Sequence, residues 1–131
     1  MSKKLTLEIA TPKVALVEGV EVAGVEVPGA LGEIGILPEH EAFCGPVAPG
    51  VARFAGDDGS RRVAVGTGYF EVTGEGLVRV LVDRAVTAEE VDPDAVRARL
   101  ADVEASEDEG AARDAAFLRA QLRAKGVAEQ A

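Results

Sequence analysis

The chain changes character near Pro93, and that break limits its folds more than any single motif does. Thirteen of its fifteen glycines precede Pro93 and no proline follows it, whereas the 39 residues from Pro93 onward hold twelve alanines and two glycines. Glycine and proline punctuate short extended segments, and alanine is the strongest helix former. A strand-and-turn unit is therefore followed by a helical one. The division is placed at 87/88, giving an N-terminal domain of residues 1–87 and a C-terminal helical domain of residues 88–131.

Within the first unit, "KLTLEIAT" alternates Leu5, Leu7 and Ile9 with polar neighbours, the period of a half-buried strand. "GVEVAGVEVPG" repeats the alternation as Val20/Val22 and then Val25/Val27, and its phase slips at Ala23–Gly24, which predicts a bulge or turn there. Further apolar runs are "EIGIL", "GVARF", "RRVAV", "YFEV" and "LVRVLVD". Turn signals separate them: "PG" at Pro28 and Pro49, "GDDG" at Gly56 to Gly59, and "TGEG" at Thr73 to Gly76. Many short strands at this spacing predict an antiparallel β-sandwich or flattened barrel and not a parallel sheet.

The second unit opens with Asp92 as N-cap and Pro93 at the first helical position. Val96, Leu100 and Val103 fall on one helix face, and Ala98, Ala101 and Ala105 fall roughly opposite, as if the helix were clamped between two partners. "SEDEG" (Ser106 to Gly110) breaks it. A second helix carries Ala111, Ala115, Leu118 and Leu122 on one stripe, with Arg119 and Arg123 beside it and Phe117 off it, and fades at Gly126. Two helices joined by a short connection pack as an antiparallel hairpin. The fold class is thus mainly β with α, a sandwich followed by a two-helix hairpin.

A net charge of −9 disfavours nucleic acid and anionic lipid as direct partners, since both require clustered Lys and Arg. No stretch approaches the roughly 18 apolar residues of a membrane span. "MSKKLTLEIA" lacks the apolar core of a secretory signal. The single Cys44 excludes an internal disulfide and fits a reducing compartment. Catalytic motifs fail in turn. "HEAFC" (His40 to Cys44) begins like the zinc-binding H-E-x-x-H pattern but lacks the second histidine, so no metal site is expected. "GTGYFE" (Gly66 to Glu71) has only G-x-G and runs into a strand, which makes it a turn and not a dinucleotide fingerprint. Glu39 and Glu41 flank the only histidine, yet charged loop residues are solvated far more often than they are catalytic. No catalytic residue is assigned.

An interaction protein remains. "GEIGILPEH" (Gly32 to His40), "PVAPGVARF" (Pro46 to Phe54), "VGTGYFEV" (Val65 to Val72) and "VRVLVDRA" (Val78 to Ala85), followed by a two-helix tail, resemble the epsilon-subunit family of the bacterial rotary F-type ATP synthase. The four blocks share the family's order and spacing. The resemblance implies a sandwich of about ten strands and a helical hairpin. It also implies a non-catalytic place at the foot of the central stalk, bound to the gamma subunit and resting on the c-ring, which couples rotation to ATP synthesis. The implied location is the cytoplasmic face of the bacterial plasma membrane, with membrane contact only through the complex. Its helices would extend toward the catalytic beta subunits and inhibit ATP hydrolysis.

On that resemblance the loop after "GEIGILP" faces the polar loops of the c-ring, and Glu33 and His40 match the contact positions. Where relatives commonly have "PGHAPL", this chain has "PEHEAF" (Pro38 to Phe43), with Glu39 in place of a glycine and Glu41 in place of an alanine. The added charge implies a more basic ring surface or a different loop position. Some members bind ATP weakly through Asp-x-x-Arg-Ala at the first helix, preceded by Ile or Leu. "DAVRA" (Asp94 to Ala98) matches that core, while Pro93 stands at the Ile/Leu position. Asp94 and Arg97 are the nucleotide candidates, with an exposed ion pair three residues apart as the plainer reading. Arg119 and Arg123 either complete a phosphate site, meet an acidic segment of beta, or are solvated. Beyond possible weak regulatory ATP no cofactor is expected. The alternatives are a free nucleotide-sensing sandwich with a helical lid, and a small hydrolase built around Glu39, His40 and Glu41.

Overall fold

Alternation builds the first strand as expected: Leu5, Leu7 and Ile9 are all buried to within 1%. The structure, a computed structural model, describes residues 4–39, 41–56 and 59–129. Those residues form ten strands: β1 (Leu5–Ala10), β2 (Ala15–Val22), β3 (Val25–Gly29), β4 (Gly32–Ile36), β5 (Phe43–Val47), β6 (Gly50–Gly56), β7 (Gly59–Val65), β8 (Gly68–Val72), β9 (Leu77–Val82) and β10 (Ala85–Thr87). A single 3-10 turn at Ala88–Glu90 leads to α1 (Pro93–Glu104) and α2 (Ala111–Lys125).

The strands lie in the order β10-β7-β6-β3-β5-β8-β9-β1-β2, with β4 hydrogen-bonded to β3. The sheet curls so that β2 returns against β6 and β10, enclosing one core of mostly Val, Leu and Ile with Phe54 and Phe70. This is a sandwich close to a closed barrel. The phase slip at Ala23–Gly24 marks the passage from β2, which pairs with β1, to β3, which pairs with β4. One pairing departs from the expected antiparallel pattern. β1 and β9 run parallel, Thr6 opposite Leu77 through Ala10 opposite Leu81, while the other described pairings are antiparallel. A parallel pair needs a long crossover, and seven intervening strands supply it.

β6 and β7 are buried on both faces. Ala52, Phe54, Val63 and Val65 point into the sandwich core, whereas Val51 and Ala64, paired across the two strands, point out against α2. This explains why "VAV" at Val63 to Val65 reads as an unbroken apolar run.

The helices begin and end on recognisable signals. The Asp92 carboxylate accepts from the Ala95 N–H at 3.3 Å, and Pro93 opens α1. At the end of α2, Gly126 adopts φ 79°. Its N–H donates to the Arg123 carbonyl, and the Val127 N–H donates to the Leu122 carbonyl, the pairing of a Schellman cap. Val96, Leu100 and Val103 pack on Ala115 and Leu122 of α2. One expectation is corrected, and a second stripe on α2 comes to light. Ala98, Ala101 and Ala105 face solvent, so α1 is covered on one side and not clamped on two. Phe117, off the first stripe, is buried in a second stripe with Ala120 and Ala124 that sits on the sheet. It is α2 that is packed on two sides, between α1 and the sandwich.

Candidate functional site

The β3–β4 hairpin is built by its glycines. A Cβ on Gly29 would lie 2.7 Å from the Ile34 Cδ1 and 2.8 Å from the Gly32 carbonyl oxygen, and Gly32 itself has φ 133°. The turn leaves Leu31 fully exposed at its tip. Glu33, at the turn end of β4, lies 3.7 Å from the Arg53 guanidinium, which also reaches Glu26 at 4.0 Å. Both carboxylates and the guanidinium are about half exposed, so the cluster is a solvated polar surface. The loop toward position 40 leaves the opposite end of β4, roughly 10 Å along the strand. It carries Leu37, 66% exposed, and Glu39 in a left-handed conformation with φ 69°. His40 lies outside the described residues, so Glu33 is the one expected ring-contact residue whose surroundings are seen.

A second exposed surface escaped the sequence reading. Strand register sets Pro46, Tyr69, Leu81 and Ala10 in one row across β5, β8, β9 and β1. Tyr69 is 70% exposed and Leu81 54%. Beside them a cleft of about 400 Å³ is lined by Ala10, Pro12, Gly68 and Leu81 among others. The next row along the same strands is Cys44, Glu71, Arg79 and Glu8, in which Arg79 reaches Glu8 at 3.1 Å and Glu71 at 3.9 Å. An apolar strip bordered by paired charges is the composition of a recognition surface. Its sequence signal was two large apolar residues, Tyr69 and Leu81, standing on the outward phase of strands whose inward phase was already filled by Phe70, Val80 and Val82. The glycines of "GTG" make this corner possible, because a Cβ on Gly68 would stand 1.9 Å from the Leu81 carbonyl oxygen.

Asp94 and Arg97 do come together on one turn of α1, with the guanidinium 3.5 Å from the carboxylate. Arg97, however, makes its shorter bonds elsewhere. Its Nε and Nη2 both donate to the Ala128 carbonyl, at 3.1 and 2.9 Å, tying the start of α1 to the segment after α2. Asp94 projects almost wholly into solvent. Arg119 pairs with Glu104 and Arg123 with Glu129, so each expected basic residue of the hairpin has a partner within the chain. Among the described residues no group of three or more His, Cys, Asp or Glu side chains is arranged to hold a metal ion, and no helix is long and apolar enough to cross a membrane.

Comparison with known proteins supplies the context for these surfaces. Residues 4–88 match the family described as ATP synthase, Delta/Epsilon chain, beta-sandwich domain. The chain is 40% identical over 101 residues to the ATP synthase epsilon chain of Geotalea uraniireducens (strain Rf4), covering 76% of this chain and 71% of the relative. It is 33% identical over 128 residues to the mitochondrial ATP synthase subunit delta of Caenorhabditis elegans, covering 97% of this chain and 77% of the relative. Among solved structures, a chain in the cryo-EM structure of Euglena gracilis mitochondrial ATP synthase, OSCP/F1/c-ring, superposes with a TM-score of 0.71 at 22% identity, covering 91% of this chain and 75% of that one. A chain of the Tetrahymena thermophila mitochondrial ATP synthase central stalk/c-ring superposes with a TM-score of 0.61 at 12% identity, covering 94% and 97%. At such identities the structural likeness speaks for the fold.

Proposed function

We propose that this chain, which belongs to the ATP synthase delta/epsilon family as an epsilon chain, is a non-catalytic stalk component that fastens the rotating gamma subunit to the c-ring and restrains ATP hydrolysis. In this reading residues 1–87 are the coupling sandwich and residues 88–131 the regulatory hairpin. The row of Tyr69 and Leu81 with the adjoining cleft is the seat for gamma, and it is the observation that carries the proposal: two large apolar side chains, 70% and 54% exposed, on one face of a family sandwich. Aromatic and aliphatic side chains on a rigid strand face are suited to anchor such a contact.

The ring side is assigned to the β3–β4 hairpin and the loop after β4, with Glu33 and His40 as contacts. Torque resistance there comes from many modest polar contacts, to which the Glu33–Arg53–Glu26 cluster contributes. The complex places this chain at the cytoplasmic face of the bacterial plasma membrane, and it meets the membrane only through the ring. Its helices inhibit by leaving the sandwich and extending toward the catalytic beta subunits. Asp94 and Arg97 are retained as a weak regulatory ATP site. Nucleotide would compete there with the Ala128 carbonyl for Arg97, which favours weak binding over the tight binding that a free nucleotide sensor requires.

Reconstitution of the complex with a chain ending at Asp92 tests the division of labour. The truncated chain is expected to assemble with gamma and ring, support ATP synthesis, and raise ATP hydrolysis severalfold over the full chain. Failure to assemble would locate the coupling surface in the hairpin, and an unchanged hydrolysis rate would remove the inhibitory role.

A further inference from the structure

The hairpin meets the sandwich through a contact that is small apart from one residue. Ala120 and Ala124 lie on Val51 and Ala64, and Phe117 is the one large side chain that α2 adds to this buried cluster. Alanine contacts remove little area from water, so whatever else grips α2 weighs heavily in the docking equilibrium. Arg84, in the turn between β9 and β10, provides that grip. Its Nη2 lies 2.9 Å from the Asp114 Oδ1, and its guanidinium carbon lies 4.8 Å from the centre of the Phe117 ring. Asp114 and Phe117, three apart on α2, share a helix face, so one guanidinium holds both.

The base of this arm is fixed. The Gly66 N–H donates to the Arg84 carbonyl at 2.8 Å, the Asp83 N–H donates to the Thr67 carbonyl at 2.9 Å, and the Thr67 N–H donates to the Asp83 carboxylate at 2.9 Å. The turn that carries Arg84 is thus bound to the β7–β8 turn, and a side chain extended from it reaches α2 without the backbone having to be ordered first. α1 packs on α2, so the two helices are held to the sandwich as one body.

We infer that Arg84 is the clasp that sets how often the helical hairpin leaves the sandwich, an inference that rests on the reading of the hairpin as a releasable inhibitor. The Arg84–Asp114 pair is about half exposed and therefore yields to salt, while the stacking on Phe117 is screened less. Release is accordingly graded by ionic strength, and loss of Arg84 abolishes both contacts together.

The test uses the full chain labelled with a donor–acceptor pair on the native, exposed Cys44 and on a cysteine introduced at exposed Ala101, with single-molecule energy transfer reporting docked and released hairpins. Arg84→Ala is expected to raise the released-to-docked ratio about three- to tenfold. Asp114→Asn acts in the same direction, the double variant adds nothing beyond Arg84→Ala, and Arg84→Lys, which keeps charge but not the planar stack, is intermediate. Added salt moves the wild-type chain more than Arg84→Ala. An unchanged distribution in both Arg84→Ala and Asp114→Asn, or fully additive effects in the double variant, overturns the clasp. Hydrolysis by the reconstituted complex is read separately: a shifted distribution with unchanged hydrolysis upholds the clasp and sinks the inhibitory reading instead.

Discussion

Glu39 is the one non-glycine among the described residues with a positive φ, 69°. An L-residue in the left-handed region brings its Cβ against the following carbonyl, at a cost of about 1–2 kcal/mol, part of which glycine would return as unfolded-state entropy. Glycine adopts this conformation without that steric cost, so the glutamate strains the loop. Glu39→Gly is expected to raise stability by about 0.5–1 kcal/mol, seen as a higher Tm in thermal unfolding. A lower Tm would mean that the interactions of the Glu39 side chain outweigh the backbone cost. Gly68 shows the opposite case, a glycine kept by close packing: the "GTG" was legible as a turn, but its fit against the Leu81 carbonyl depends on a strand thirteen residues later and could not be read from spacing.

Elements were legible in proportion to how one-sided their burial is. β1 and α1 each hide one face, and period alone found them, down to Asp92 and Pro93 at the start of α1. Because Asp92 caps the Ala95 N–H, Asp92→Ala is expected to cost about 1 kcal/mol, measured as a drop in helical unfolding midpoint. An unchanged midpoint would show that Pro93 and the packing of Val96 fix the start of α1 without the cap. α2 was read only in part. Its Ala115–Leu122 stripe was recognised, but its second stripe is Phe117, Ala120 and Ala124, and alanines do not announce which way they face. β5, Phe43–Val47, escaped because Gly45 and Pro46 interrupt its alternation. Gly45 is needed there, since a Cβ would lie 3.0 Å from the Phe70 ring. The nucleotide candidates were adjacent as the motif suggested, yet the hold of Ala128 on Arg97 joins residues 31 apart and required the fold.

At the scale of the whole molecule, the parallel β1–β9 pair joins the β1–β2 hairpin to the rest of the sheet and brings Ala10 beside Leu81, so the first strand helps build the apolar face. The curled sheet keeps three surfaces apart. The face centred on Tyr69 and Leu81 lies on β8 and β9, the Glu33 hairpin on β3 and β4, and the helices on β6 and β7. On the proposed function, the sheet would offer one surface to each of gamma, ring and hairpin, and a rigid body of this kind would transmit force between the first two while leaving the third free to detach. Composition foretold a strand-built sheet followed by helices. It did not foretell the apolar face, whose residues are brought into one row only by register across four strands.

The most direct measurement of this account is the affinity of the full chain for isolated gamma, compared with Tyr69→Glu and Leu81→Glu together. Tyr69 and Leu81 are exposed, so the double variant is expected to keep its fold by circular dichroism and to bind gamma at least about 100-fold more weakly, the loss typical of two central anchors. A folded double variant that holds gamma as tightly as the native chain would contradict the claim that this face couples the stalk.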